Sequence, residues 1–189
     1  MKTILKKTFS RNLIETLIVF LVPFIIFLFL EFNQSNPYFS GYDSYYHVGM
    51  AEYIWENGLP EEFPYLFFTF LNKNYVDHHL LFHFLLIPFI LIFGNVVGPK
   101  IFIALCVGGI FWALNQIIRK FVGRGSIFLT LAGFALLPSD FYFRLAFIRN
   151  PAPSLLFLML TFYSLISKKY KTLFALAFLY GWLYVGGGF

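Results

Sequence analysis

The chain reads as an all-α membrane protein: a polytopic transmembrane helical bundle of about five spans, whose long external first loop contains membrane-surface helices. Three observations predict this. Hydrophobic residues make up 59% of the 189, charged residues only 12%, and the mean hydropathy is +0.74, too little polar surface to clothe a soluble domain. Apolar runs recur along the sequence, separated by short clusters of Lys and Arg, the pattern of spans joined by orienting loops. Phe (28) and Tyr (12) are unusually frequent, as suits lipid contact and anchoring at the interface.

The first element carries a basic flank, Lys2, Lys6, Lys7 and Arg11, like the start of a signal peptide. Its apolar run from Leu17 to Leu30 leads into Glu31 and Phe32 with no small-residue cleavage site, so residues 13–32 read as a retained first span with the N-terminus cytoplasmic. Further apolar segments run from Leu80 to Phe93, Ile101 to Ile118, Ser126 to Pro138, Ser154 to Ile166 and Leu173 to Val185. The run from Leu80 is short for a crossing and contains Pro88. Charge decides its treatment. If every segment crosses, seven basic residues (2, 6, 7, 11, 100, 144, 149) lie inside and seven outside. If residues 80–93 stay at the outer surface, ten lie inside and only four (73, 100, 144, 149) outside. The positive-inside rule selects the second arrangement. It leaves residues 33–99 as an external loop and residues 100–189 as spans two to five, the whole forming a single membrane module.

That outer loop, counted with Glu31, holds seven of the nine acids. Within it Asp43 to Asn57 has Tyr46, Met50, Tyr53 and Ile54 at apolar helical spacing, and Gly58 and Pro60 follow as stops. A second external turn, Pro138 to Pro151, carries Asp140, Arg144 and Arg149. The chain reaches Gly186-Gly187-Gly188-Phe189 with no polar tail, so it is expected to be the N-terminal part of a longer enzyme. A net charge of +5 spread through inter-span turns orients the spans, and no nucleic-acid partner is expected. The lone Cys106 excludes an intrachain disulfide.

Three groups of residues could carry chemistry. Asp43 and His47 stand four apart, so a helix would place them on one face. Asp43 could then ligate a divalent cation or take a proton, or simply cap the helix beside a wet His47. Asp77-His78-His79 precedes His83. The His79 and His83 spacing would let two imidazoles meet one metal, though Leu80, Leu81 and Phe82 stand where a metalloprotease needs glutamate. Asp77, aided by His78, suits a hard cation such as Mg²⁺ or Mn²⁺ better. Arg144 and Arg149 could clamp phosphate through their planar forks, or snorkel to lipid headgroups. There is no phosphate loop, no nucleophile elbow and no Cys-x-x-Cys pair. The later spans lack charges at depth, which disfavours an ion-coupled pathway. Asn115 and Gln116 read as contacts between helices.

The stretch Asp43-Ser44-Tyr45-Tyr46-His47-Val48-Gly49-Met50-Ala51-Glu52-Tyr53-Ile54-Trp55-Glu56-Asn57-Gly58 resembles the first external motif of oligosaccharyltransferase catalytic subunits, the archaeal type most of all. In layout, Ile92-Phe93-Gly94 before a Lys-headed span, a basic turn, and a span ending in Leu137-Pro138 resemble the N-terminal module of GT-C membrane glycosyltransferases. The resemblance implies an outer loop with surface helices that do not cross and Asp43 as the catalytic or metal-binding acid. It also implies further acids in the second external turn, where this chain has Asp140 and then Arg144 and Arg149-Asn150-Pro151. The Trp-Trp-Asp signature of the acceptor-binding domain is absent.

The sequence thus leads to an integral membrane glycosyltransferase module acting in protein glycosylation. It would transfer a sugar from a polyprenyl-phosphate or polyprenyl-pyrophosphate donor at the external face. Asp43 is the expected catalytic residue. Asp43, Asp77 and His78 are expected at a divalent cation, and His47, Arg144 and Arg149 at the substrate. Membrane lipid and a further membrane subunit, or the missing C-terminal region, are the other expected partners. The competing reading is a non-catalytic lipid-binding scaffold or partner subunit.

Overall fold

The computed structural model describes residues 2–33, 38–63, 68 and 72–183, with side chains from residue 12 onward. The side chains of Lys2, Lys6, Lys7 and Arg11, the end of the last apolar run and the Gly186–Phe189 terminus lie outside the described residues. All regular structure among the described residues is helical: α1 (Lys2–Phe32), α2 (Tyr42–Asn57), α3 (Leu80–Val122), α4 (Ser126–Ala135), α5 (Ser139–Ala146), α6 (Pro151–Ile166) and α7 (Tyr170–Leu183), with a 3-10 turn at Gly123–Gly125 between α3 and α4.

Local signals explain the boundaries. Gly58, at φ 83°, closes α2 by donating its N–H to the Ile54 carbonyl, and only glycine takes that conformation without strain. Arg119 and Lys120 occupy the last turn of α3, where cations offset the carbonyl end of the helix dipole. Pro151 opens α6, a position that needs no N–H partner. Helix α3 is broken at Gly94 (φ 80°, ψ 164°). Beyond the break the chain folds back, so that a Cβ on Gly98 would lie 2.2 Å from the Phe89 carbonyl oxygen. Phe102 then packs on both Phe82 (6.0 Å between ring centroids) and Phe89 (5.2 Å). Residues 80–93 therefore lie across one end of the following rod instead of extending it. At about 1.5 Å per residue they reach about 21 Å, short of a bilayer core.

Helix α1 and residues 95–122 of α3 form an antiparallel pair. Lys100 Nζ donates to the Glu31 carbonyl at 2.9 Å, and at the far end Arg119 Nη2 donates to Asn12 Oδ1 at 2.5 Å. Helix α4 returns along α3 with Phe134 on Phe111 (4.8 Å) and the Thr130 hydroxyl on Asn115 Oδ1 (3.3 Å), so Asn115 does join two helices. Helices α6 and α7 run down and back, with Phe157 stacked on Tyr180. The basic turns meet at the Asn12 end, where Lys120 and Lys169 both lie over the Tyr163 ring. The core is a continuous set of side chains from all these rods, including Val19, Phe27, Ile103, Val107, Phe111, Phe134, Ala152 and Leu183.

By length and composition the described helices supply two or three of the five spans that the sequence suggests. Among the described residues two helical stretches, Asn12–Phe32 and Leu80–Ala135, are long and apolar enough to cross a membrane, and a third if the pair α5–α6, bent by 101°, is taken as one. These are consistent with an integral membrane protein. Helices α4, α6 and α7, of 10, 16 and 14 residues, also run between the two ends but fall short of the roughly 20 residues of a full crossing. The second turn is itself structured, since Ser139–Ala146 forms the amphipathic α5.

Candidate functional site

The residues singled out in the sequence collect at the Glu31–Lys100 end of the bundle. Helix α2 is built to bring them there. Its inward face carries Ser44, His47, Val48, Ala51 and Ile54, a helical stripe set one residue off the Tyr46, Tyr53 spacing that hydropathy alone suggests. Gly41 caps its start at φ 73° and lies under Phe147, whose ring would stand 3.0 Å from any Cβ placed there. Ser44, fully buried, donates to the Ser40 carbonyl (2.5 Å) and accepts from the Ile148 N–H (3.1 Å). These contacts lock segment 147–149 onto the start of α2.

The consequence is an ion pair: Arg149 Nη1 lies 2.8 Å from Asp43 Oδ2, with both side chains about half exposed. Asp43 therefore sits in the first turn without capping it. Arg149 and Arg144 line one cleft of about 530 Å³ with Asp140, Phe143, Phe147 and Pro151. On the other side of α5, Ser139 and Tyr142 border an apolar groove of similar volume whose further walls are Val22, Ile26, Leu30, Leu131 and Phe134.

His47 is not wet. It is 4% exposed and belongs to a buried chain. The Asp77 carboxylate accepts from His83 Nδ1 at 2.6 Å and from the His79 N–H at 2.9 Å. His83 Nε2 faces His47 Nδ1 at 2.8 Å. With the carboxylate fixing the His83 tautomer, a neutral His83 offers its Nε2 lone pair to His47 Nδ1–H. His79 stacks edge-on to His47 and bonds through Nδ1 to the Asn150 amide, which also donates to the Leu183 carbonyl (3.0 Å).

Burial, with the positive fields of His83, His79 and Arg149, pushes His47 down to about 2. His79 is lowered too, chiefly by burial and then by His83. Burial alone would raise Asp77, but the His83 hydrogen bond and charge and the His79 N–H together hold it below the usual carboxylate value.

The structure thus brings Asp43, His47, Arg144 and Arg149 to one end and sets Asp77 beside His47 through His83. Asp77 is turned inward, Asp43 lies on Arg149, and His78 bonds the Val76 carbonyl at 2.6 Å. Among the described residues no group of three metal-donor side chains converges, so Asp43, Asp77 and His78 do not fit as a protein-only cage.

Sequence reasoning missed Ser44, Asn150 and the buried pair Glu31 and Lys100, which are 1% and 2% exposed. The signal for Ser44 and Asn150 was a polar residue beside candidate site residues in apolar surroundings. Glu31 was read as the end of a span, yet its carboxylate is buried with no hydrogen-bond partner among the described residues. No family model, curated protein or solved structure matches the chain.

Proposed function

We propose that the chain is the membrane module of a GT-C-like glycosyltransferase, with about five spans, a cytoplasmic N-terminus and the Asp43 end at the external face. Its reaction is transfer of a sugar from a polyprenyl-phosphate or polyprenyl-pyrophosphate donor. The observation that carries this reading is the contact of Asp43 with Arg149 at the mouth of a cleft that Arg144 shares.

The two guanidinium forks bind donor phosphate and stabilise the charge that collects on it as the leaving group departs. A phosphate drawing Arg149 away releases the Asp43 carboxylate for work on the acceptor. The bond from the anomeric carbon to the phosphate oxygen breaks, its electron pair leaving with the phosphate. The acceptor atom bonds the anomeric carbon and yields its proton to Asp43. The apolar groove on the far side of α5 gives the polyprenyl chain a place beside its own headgroup. In the alternative role Asp43 would hold a Mg²⁺ or Mn²⁺ ion, which would supply charge neutralisation to the departing phosphate.

The test is turnover of polyprenyl-phosphate-linked hexose by the Asp43→Asn protein, which keeps the size and removes the charge. Turnover equal to the parent's would sink the assignment. The second reading, a non-catalytic lipid-binding scaffold or partner subunit, draws on the same apolar groove. It expects polyprenyl-phosphate to bind equally with and without divalent cation, and equally in Asp43→Asn.

A further inference from the structure

The outward face of α2 forms a second site that the donor cleft does not use. Tyr45, Tyr46, Gly49 and Tyr53 border a cavity of about 480 Å³, closed on the other side by Glu62 and Phe63. The opposing wall is fixed, since the Tyr75 N–H donates to the Glu61 carbonyl (2.9 Å) and the Phe63 N–H to the Asn72 carbonyl (3.0 Å). Tyr46 and Tyr75 join their hydroxyls at 2.5 Å, and the Phe63 ring packs on Tyr75 at 5.2 Å. From Tyr45 to Tyr53 the cavity follows α2 for about 12 Å.

We propose that this cavity binds carbohydrate, specifically a segment of two linked pyranose rings. A pyranose has a C–H face and a polar rim. The electron-rich faces of tyrosine and phenylalanine attract the polarised C–H bonds, while tyrosine hydroxyls and the Glu62 carboxylate take up ring hydroxyls. An acyl chain has no use for a carboxylate and three phenols. A quaternary ammonium would suit aromatics and an acid, but it fills only a small part of a cavity this long.

Gly49, on the α2 wall, faces open space: a Cβ added there meets no heavy atom within 4 Å, so a large side chain at this position would occupy the cavity. Tyr46 separates the cavity from the buried chain, its ring 5.1 Å from His47 and 6.0 Å from His83. As a glycan site of the same enzyme this rests on the glycosyltransferase reading; as a carbohydrate site it does not.

The experiment is saturation-transfer NMR on the full chain in lipid nanodiscs, with N,N′-diacetylchitobiose, cellobiose and maltose as probes and tetramethylammonium as competitor. At least one disaccharide should receive saturation from the parent. Gly49→Leu, which fills open space, and Tyr53→Ala, which removes an exposed platform, should each weaken that binding at least tenfold. Arg149→Gln breaks the donor cleft and should abolish donor turnover while leaving sugar binding intact, whereas sugar binding by a parent protein that shows no donor turnover would refute only the glycosyltransferase reading. Absence of saturation for all three sugars, equal binding by Gly49→Leu and Tyr53→Ala, or displacement by tetramethylammonium would overturn the proposal.

Discussion

Arg149 Nη1 lies 2.8 Å from Asp43 Oδ2, although one residue lies in the first turn of α2 and the other stands two residues before α6. The pair is formed by backbone placement as much as by charge, because Ser44 holds the Ile148 N–H one residue away. Half-exposed ion pairs contribute only about 0–1 kcal/mol to stability. The pair is therefore poorly explained as a device for holding the fold.

Arg149→Lys should separate the two roles. Lysine keeps the charge and loses the fork that grips phosphate through two bonds. Donor turnover should fall by roughly 10²-fold, within the range for loss of one stabilising donor, while thermal stability shifts by less than about 1 kcal/mol. Parent-like turnover in Arg149→Lys would leave the arginine with a merely electrostatic duty.

Ser44→Ala should behave in the opposite way. The hydroxyl is fully buried, and its loss leaves the Ile148 N–H unmatched, at a cost of about 1–3 kcal/mol. Gly41→Ala should cost about 1–3 kcal/mol from its backbone alone, because φ 73° with ψ 150° is a region that essentially only glycine enters, and more where the new methyl meets Phe147. Both should raise the KM for donor by loosening segment 147–149. Chemical denaturation and donor titration of the same preparations check this, and a normal KM in a clearly destabilised protein would refute the coupling.

Acid should destabilise the fold through the histidine cluster. His47 takes up a proton near 6.5 when unfolded but only near 2 when folded, so its contribution is fully present above about pH 6.5 and is lost as pH falls. His79 is displaced the same way, and Asp77, held low, adds a loss in the carboxylate range. By pH 5 His47 alone should cost on the order of 2 kcal/mol, roughly 4–8 °C in Tm. His47→Gln should flatten that slope relative to its own value at pH 8. A parent Tm that does not move between pH 8 and pH 5 would disprove the role of burial here.

Helical class was legible because apolar run length is a strong and local signal. The end of α2 at Asn57 was legible for the same reason, since Gly58 acts on its own neighbours. What the sequence could not supply was anything set by long-range packing. The face that α2 buries follows His83 and segment 147–149, which are remote in the chain, so of the four residues at apolar spacing Met50 and Ile54 are buried while Tyr46 and Tyr53 stay partly exposed along a cavity. The break at Gly94 falls in the gap between two apolar segments that the sequence already divides, Leu80 to Phe93 and Ile101 to Ile118. Asp77 looked like a cation ligand by residue type, whereas its two oxygens serve His83 and the His79 N–H.

Sidedness is the last expectation, and it follows from register. Glu31 with Lys100 and Asn12 with Arg119 fix α1 against α3 end to end. Lys120 and Lys169 on Tyr163 then gather both basic turns at the Asn12 end, while Asp43 and Arg149 meet at the other. By the positive-inside rule the Asn12 end is expected to be the cytoplasmic one. With Cys106 replaced by alanine, a single cysteine at Val76, which is 60% exposed, should react with an impermeant thiol reagent applied to intact cells, whereas Ser44 and Ala146 are buried and report nothing about sidedness. Cysteines at Val122 and Tyr170 should react only after permeabilisation. If Val122 and Tyr170 are labelled in intact cells and Val76 is not, the bundle is inserted the other way up. An enzyme using an external lipid-linked donor could not then have Asp43 at its centre.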